Sequence, residues 1–70
     1  MREVDTRGLS CPQPVLMFHM AVKENPSEPV DVLVDNAASL ENVTRAAKKQ
    51  GFTVTAKNED AIVTRLELRK

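Results

Sequence analysis

Residues 7–14 read RGLSCPQP and contain the only cysteine of this 70-residue chain. Proline has no backbone N–H and its φ is close to the helical value, so it fits the first turn of a helix, where the N–H groups lack intrahelical partners. Pro12 and Pro14 therefore predict a helix that begins at Cys11 or Pro12. Gly8 supplies the backbone freedom for the bend from a preceding strand into this helix. The stretch thus predicts a strand-to-helix junction with Cys11 at the helix N-terminus.

This position has a chemical consequence for the thiol. Free N–H groups and the positive end of the helix dipole stabilise an anion and so favour thiolate over thiol. Arg7 is a candidate second source of positive charge, four residues before Cys11. A lone cysteine is more often an inert buried side chain. The placement of Cys11 indicates a reactive one, and we expect it to be alkylated at a pH below the unperturbed thiol pKa of about 8.5.

The periodicity of apolar residues predicts four strands and two helices. The strands cover residues 2–6, 30–35, 52–57 and 62–69; the first helix covers 12–24, and the second is capped by Asn36 or Ser39 and ends near Gln50. Leu16, Met17 and Met20 broaden the apolar face of the first helix. The predicted core contains Val4, Val15, Phe18 or His19, Val22, Val30, Val32, Val34, Leu40, Val43, Ala47, Phe52, Val54, Ala56, Ile62, Leu66 and Leu68.

The predicted order of elements is βαβαββ. A βαβ unit implies parallel strands, and the polar turn at residues 58–60 makes the last two strands an antiparallel hairpin. Each helix has one apolar stripe, so we expect a fold of the α+β class: a two-layer α/β sandwich with both helices on one face of a four-stranded mixed sheet and water on the other. Residues 1–70 then form a single domain. Leu33 and Val63 fall on the water-facing side, as isolated apolar residues or as a patch for a partner.

Composition limits the environment and the partners. The ten basic and ten acidic residues balance, which gives no support for direct binding of nucleic acid. The chain has no tyrosine or tryptophan for base stacking. One cysteine cannot form an internal disulfide, and an unpaired thiol suits a reducing compartment. Without an apolar run for a signal peptide or a membrane span, we expect a cytoplasmic monomer that contacts no membrane.

Several chemistries of a cysteine can be set aside. His19, the only histidine, lies eight residues beyond Cys11 in the same predicted helix, or about 12 Å along the axis, too far to act as its base. One cysteine and one histidine at this spacing form no metal site, and a single cysteine allows no dithiol exchange within the chain. No phosphate-binding loop or dinucleotide fingerprint is present, so we expect no cofactor. A thiolate without base, metal or second thiol can still accept a group and pass it on.

Residues 8–14, GLSCPQP, resemble the G-L-x-C-P-x-P signature of the TusA/SirA-like sulfur-carrier family, and Asp5 and Gly8 fit its D-x-x-G lead-in. The resemblance covers essentially the whole chain and implies the family's βαβαββ sandwich. It implies that Cys11 carries a persulfide, with Pro12 and Pro14 shaping the helix start and Gly8 the bend. The sulfur would come from a cysteine desulfurase or rhodanese-like donor and pass to an acceptor in tRNA thiolation or in cofactor, sulfur or selenium metabolism. Such a sulfurtransferase-type carrier needs partner proteins to act.

The segment after the second strand departs from one branch of this family. Residues 35–43 read DNAASLENV and lack the acidic D-x-P stretch of many tRNA-thiolation members. They are similar instead to the amino-terminal TusA-like domain of the YedF-type, selenium-metabolism-associated proteins, so a stand-alone carrier and an excised domain both stay open. The alternative function is a non-catalytic interaction or regulatory module, which would bind its partner equally well after Cys11→Ser.

Overall fold

A computed structural model gives the fold and describes residues 2–9, 13–26 and 28–70. The elements are β1 (Arg2–Asp5), α1 (Gln13–Glu24), β2 (Val30–Val34), α2 (Ala37–Lys49), β3 (Thr53–Asn58) and β4 (Thr64–Arg69). This is the predicted βαβαββ order. The predicted helix start at Cys11 or Pro12 lies outside the described residues. Among the described residues, neither helix is long and apolar enough to cross a membrane.

The four strands form one mixed sheet in the order β1-β2-β4-β3. β1 and β2 are parallel, and β4 is antiparallel to both β2 and β3. Asp5 pairs with Leu33, and Val34 pairs with Thr64, so β1 and β2 finish where β4 starts. We call this side of the molecule the junction end; it consists of residues 6–9 after β1, the first turn of α1 from Gln13, residues 35–36 before α2, and the hairpin loop 59–63.

Both helices cover the same face of the sheet. α1 packs on β1 and β2, α2 packs on β3 and β4, and the helices pack on each other. The rings of Phe18 and Phe52 meet edge to face with their centroids 5.8 Å apart. The core cluster contains Val4, Phe18, Ala21, Val22, Val30, Val32, Val34, Val43, Ala47, Phe52, Leu66 and Leu68. The expected two-layer sandwich is therefore confirmed.

Two choices that the sequence left open are decided by local geometry. Asn36 is the N-cap of α2, because its extended backbone lets the side chain accept the N–H of Ser39. Ser39 is buried in the first turn of the helix. In α1, Phe18 enters the core and His19 is exposed.

Four residues expected on the apolar faces are exposed. Ile62 was placed in the last strand, but β4 begins only at Thr64, so Ile62 lies in the hairpin loop with 71% of its surface exposed. Ala56 lies in β3, which has a neighbour on one side only because it is the edge strand. Leu16 and Met20 lie on α1 outside the stripe that contacts the sheet and are 50% and 67% exposed.

The face of the sheet opposite the helices was predicted to be open to water. Its centre is instead buried. Leu33 and Val63 are buried, and so is the carboxylate of Asp31. Arg65 and Arg69 lie over this face, and each places Nη1 2.9 Å from a carboxylate oxygen of Asp31. We call it the ionic face; its charged side chains are those of Glu3, Asp31, Lys57, Arg65, Glu67 and Arg69. A partner patch built on Leu33 and Val63 is therefore wrong.

Candidate functional site

The segment that leads into the cysteine stretch is a tight turn at the end of β1. The N–H of Leu9 donates to the carbonyl oxygen of Thr6 at 3.1 Å. Gly8, the third residue of this turn, has a φ of +80°. Type II turns require a positive φ at this position, where residues with a Cβ are strained. Gly8 thus lets the chain reverse at the point where it leaves the sheet.

This turn is fastened to the neighbouring strand. Thr6 is fully buried, and both its N–H and its hydroxyl donate to the carbonyl oxygen of Leu33, at 3.0 and 2.5 Å. The N–H of Gly8 donates to Oδ2 of Asp35 at 2.7 Å. The turn that leads into Cys11 is therefore held at Thr6 by Leu33 of β2 and at Gly8 by Asp35, the residue that follows β2.

Asp35 connects the two strand-to-helix junctions. Its Oδ1 accepts a hydrogen bond from Nδ2 of the Asn36 side chain at 3.0 Å, while Oδ1 of the same Asn36 amide caps α2 by accepting the N–H of Ser39. The bond from the Gly8 N–H, followed by that from Asn36, holds the pKa of the Asp35 carboxyl below its usual value. Asp35 is thus an ionised anchor between the cysteine lead-in and the start of α2.

Arg7, the cation suggested by the sequence, is paired with a carboxylate. Its Nε and Nη2 donate to Oδ1 and Oδ2 of Asp5 at 2.9 and 2.7 Å, and its backbone N–H also reaches Oδ1 at 3.0 Å. These bonds lower the pKa of Asp5 to about 2 and raise the pKa of the Arg7 guanidinium. The charge of Arg7 is therefore largely balanced by Asp5. Cys11 and Pro12 themselves lie outside the described residues.

On the far side of the cysteine stretch, α1 starts at Gln13. Pro14 is buried in the first turn, where its missing N–H costs no intrahelical hydrogen bond. The first turn contains no acidic side chain. The partial positive charge at this helix start is therefore not offset by a carboxylate of the same turn.

Of the residues singled out from the sequence, Arg7, Gly8 and Pro14 are all found at the junction end. The sequence reasoning missed Thr6 and Asp35, which fasten the turn. The signal for Asp35 was present, because the carboxyl ends of two parallel neighbours lie side by side and Asp35 directly follows the second of them.

The fold and this junction define a class of protein: a small two-layer sandwich whose first strand passes through a glycine turn and a Cys-Pro-x-Pro stretch into its first helix. The family described as Sulfurtransferase TusA matches residues 2–70. A "Putative sulfur carrier protein MJ0990" of Methanocaldococcus jannaschii is 35% identical over 71 residues, covering 100% of this chain and 95% of that protein. The crystal structure of a SirA-like protein of Desulfitobacterium hafniense superposes with a TM-score of 0.89 at 30% identity, covering 97% of this chain and 95% of that one.

The chain therefore belongs to the TusA sulfurtransferase family, the family of sulfur carriers. The resemblance stated from the GLSCPQP stretch is confirmed at the level of the family, and the SirA-like structure confirms the predicted fold.

Proposed function

We propose that this protein carries sulfur as a persulfide on Cys11 and relays it from a donor protein to an acceptor protein. The match of residues 2–70 to the TusA sulfurtransferase family carries the proposal. Cys11 is the only cysteine in the chain and therefore the only thiol able to hold a persulfide. Residues 1–70 act as a single TusA-like domain.

The transfer needs no oxidant and no metal. The Cys11 thiolate attacks the outer sulfur of the donor's persulfide, a new S–S bond forms at Cys11, and the S–S bond of the donor breaks. The donor leaves as a thiolate, so one sulfur atom moves and the oxidation states balance. Repeating the same exchange with a thiolate on an acceptor unloads Cys11 and restores the free thiol.

The described residues on both sides of Cys11 support this role. Gly8 and Thr6 fix the backbone before it, and Pro14 sets the first turn of α1 after it. A helix start without its own carboxylate favours an anionic sulfur species in its neighbourhood. Pro12 and Pro14 shape that start, and Arg7, through Asp5, steadies the turn that precedes it.

The pathway is a separate proposal. Residues 35–43 resemble the YedF-type proteins, so we place the carrier in sulfur or selenium metabolism ahead of tRNA thiolation. We expect a cytoplasmic monomer whose partners are the donor and the acceptor, with no cofactor of its own.

Intact-mass spectrometry tests the persulfide directly. After incubation with a cysteine desulfurase and L-cysteine, we expect the wild-type chain to gain the mass of one sulfur atom, and a thiol reductant to remove it. Two oxygens add almost the same mass, but a sulfinic acid is not reversed by the reductant. Cys11→Ser should gain nothing; a Cys11→Ser protein that accepts reductant-labile sulfur would refute the proposal.

The activation of the thiol has its own readout. The rate of alkylation of Cys11 by iodoacetamide, followed against pH, should give a thiol pKa below the ordinary value of about 8.5. A pKa at or above that value would show that the helix start does not activate the sulfur.

A further inference from the structure

Two large apolar side chains are about equally exposed but lie in different parts of the molecule. Ile62 is 71% exposed in the hairpin loop, at the junction end, and Met20 is 67% exposed near the middle of α1. Met20 borders β1 beside Glu3 and Asp5. Burying a side chain of this size against a partner is worth about as much as burying it in a core, so an exposed isoleucine at a functional end is a candidate anchor.

The hairpin loop is held next to the turn that precedes Cys11. Glu59 and Asp60 both donate their N–H groups to the carbonyl oxygen of Val63, which closes the loop. Glu59, Asp60 and Val63 line one shallow cavity together with Arg7. Ile62 is therefore displayed by a closed loop that borders the cysteine lead-in.

Carboxylates outnumber guanidinium groups on the side of the molecule where Ile62 lies. The carboxylates of Asp5 and Glu59 are paired with Arg7 and Arg65. Asp60 accepts the N–H of Ala61, and the ion pairs found in the described part of the chain do not include it. The exposed lysines lie mainly at the opposite end of the molecule, where α1, α2 and β4 finish: Lys23, Lys48, Lys49 and Lys70. The net charge of the chain is zero, but its charges are unevenly distributed. We call the carboxylates of Asp5, Glu59 and Asp60 at the junction end the acidic rim.

We propose that Ile62 and Asp60 form the docking contact for the sulfur-donor protein, which presents an apolar pocket for Ile62 and a basic rim for Asp60. This rests on the proposed function, because a donor must bring its persulfide to Cys11, which lies two residues from Leu9 and two from Gln13 in the sequence. Leu9 and Gln13 both lie at the junction end. Burial of Ile62 in the donor's pocket supplies the binding energy, and the acidic rim raises the association rate with a basic partner.

The test measures the rate of loading of the chain by a cysteine desulfurase with L-cysteine, at chain concentrations well below saturation. We expect Ile62→Ser to lower this rate about tenfold, the loss typical of one apolar anchor. We expect Asp60→Asn to lower it about threefold at low salt, with the difference shrinking as salt screens the rim. The asparagine keeps an oxygen that can accept the Ala61 N–H, and the backbone bonds to Val63 that close the loop do not involve the substituted side chain.

Two matched controls and a second loading reagent separate docking from folding and from chemistry. Met20→Ser removes an equally exposed apolar side chain, and Glu24→Gln removes an exposed carboxylate at the end of α1; both should load at the wild-type rate. Inorganic polysulfide needs no docking, so it should load all five proteins at Cys11 at one rate.

The outcomes distinguish the two proposals. If Ile62→Ser loads as fast as Met20→Ser with the desulfurase, the docking contact is wrong and the carrier function stands. If polysulfide loads Ile62→Ser more slowly than the wild-type chain by the same factor as the desulfurase does, Ile62 affects Cys11 itself. That result also shows that the proposed docking contact is wrong. A wild-type chain that takes up no reductant-labile sulfur on Cys11 from either reagent overturns the proposed function and this contact with it.

Discussion

Helices cover one face of the sheet, and charged side chains cover the other. The alternation of apolar and polar residues along the strands predicts the first kind of burial but not the second. On one face, two helices bury valines, leucines and phenylalanines in a continuous core. On the ionic face, none of the helices in the described ranges lies over the sheet, yet the carboxylate of Asp31 is almost as buried as that core. Long arginine side chains reach it from the neighbouring strand, with Arg65 also bonding to Glu3 and Glu59. Charged side chains can thus form a cover of their own on one face of a sheet.

The comparison predicts its largest effect on the helix-covered face. Phe18→Ala removes a fully buried ring that packs edge to face on Phe52, and we expect the free energy of unfolding to fall by about 3–5 kcal/mol. Urea denaturation followed by circular dichroism measures it. Met20→Ala, on the same helix but exposed, should change stability by less than about 0.5 kcal/mol. A Met20→Ala protein that loses as much stability as Phe18→Ala would show that the exposed side of α1 is packed.

A smaller effect is expected on the ionic face. Asp31→Asn keeps the shape of the side chain but removes the charge that holds Arg65 and Arg69, and we expect a loss of about 1–3 kcal/mol. Glu67, directly paired with Asp31 across the strands, bonds the exposed Lys57 at 3.4 Å. Glu67→Gln should therefore cost at most about 1 kcal/mol, as a surface pair does. Equal denaturation midpoints for the two variants would mean that the arginines cover the face without stabilising it.

The smallest effect is an electrostatic one at the edge of the ionic face. The Arg7 guanidinium, followed by the Arg7 backbone N–H, lowers the pKa of Asp5 from 3.8 to about 2, and because Arg7→Gln removes the guanidinium it should raise that pKa part of the way back towards 3.8. Because the folded pKa lies below the unfolded one, the pair's contribution to stability is fully present above pH 3.8 and disappears as the pH falls through about 2. An NMR titration of the Asp5 carboxyl carbon in both proteins measures the shift. A wild-type Asp5 that titrates near 3.8 would show that the pair does not persist in solution.

The helix-covered face could be predicted from the sequence, because alternation in β2 and three-to-four spacing in α2 each fix which side chains face inward. Val30, Val32, Val34 and Val43 illustrate this. The errors came where a residue's neighbours in space decide its burial. Leu33 is buried directly across the strands from Arg65, and Ile62 lies before the true start of β4. Neither fact has a local signal in the sequence.

The candidate site shows the same division. The turn at Gly8 and the early proline of α1 follow from the conformational limits of single residues, so the sequence could place them. The bonds from Thr6 to Leu33 and from Gly8 to Asp35 join residues 27 positions apart. Such contacts depend on which strand lies beside β1, and strand order was not predicted.

The central claim is that transferable sulfur resides on Cys11, and peptide mapping with radiolabelled L-cysteine as the sulfur source tests it most directly. The chain is loaded by a cysteine desulfurase, digested without reductant, and each peptide is counted. We predict that the label appears in the peptide containing Cys11, is released by a thiol reductant and is lost in Cys11→Ser. Label spread over other peptides, or equal label in Cys11→Ser, would contradict the account.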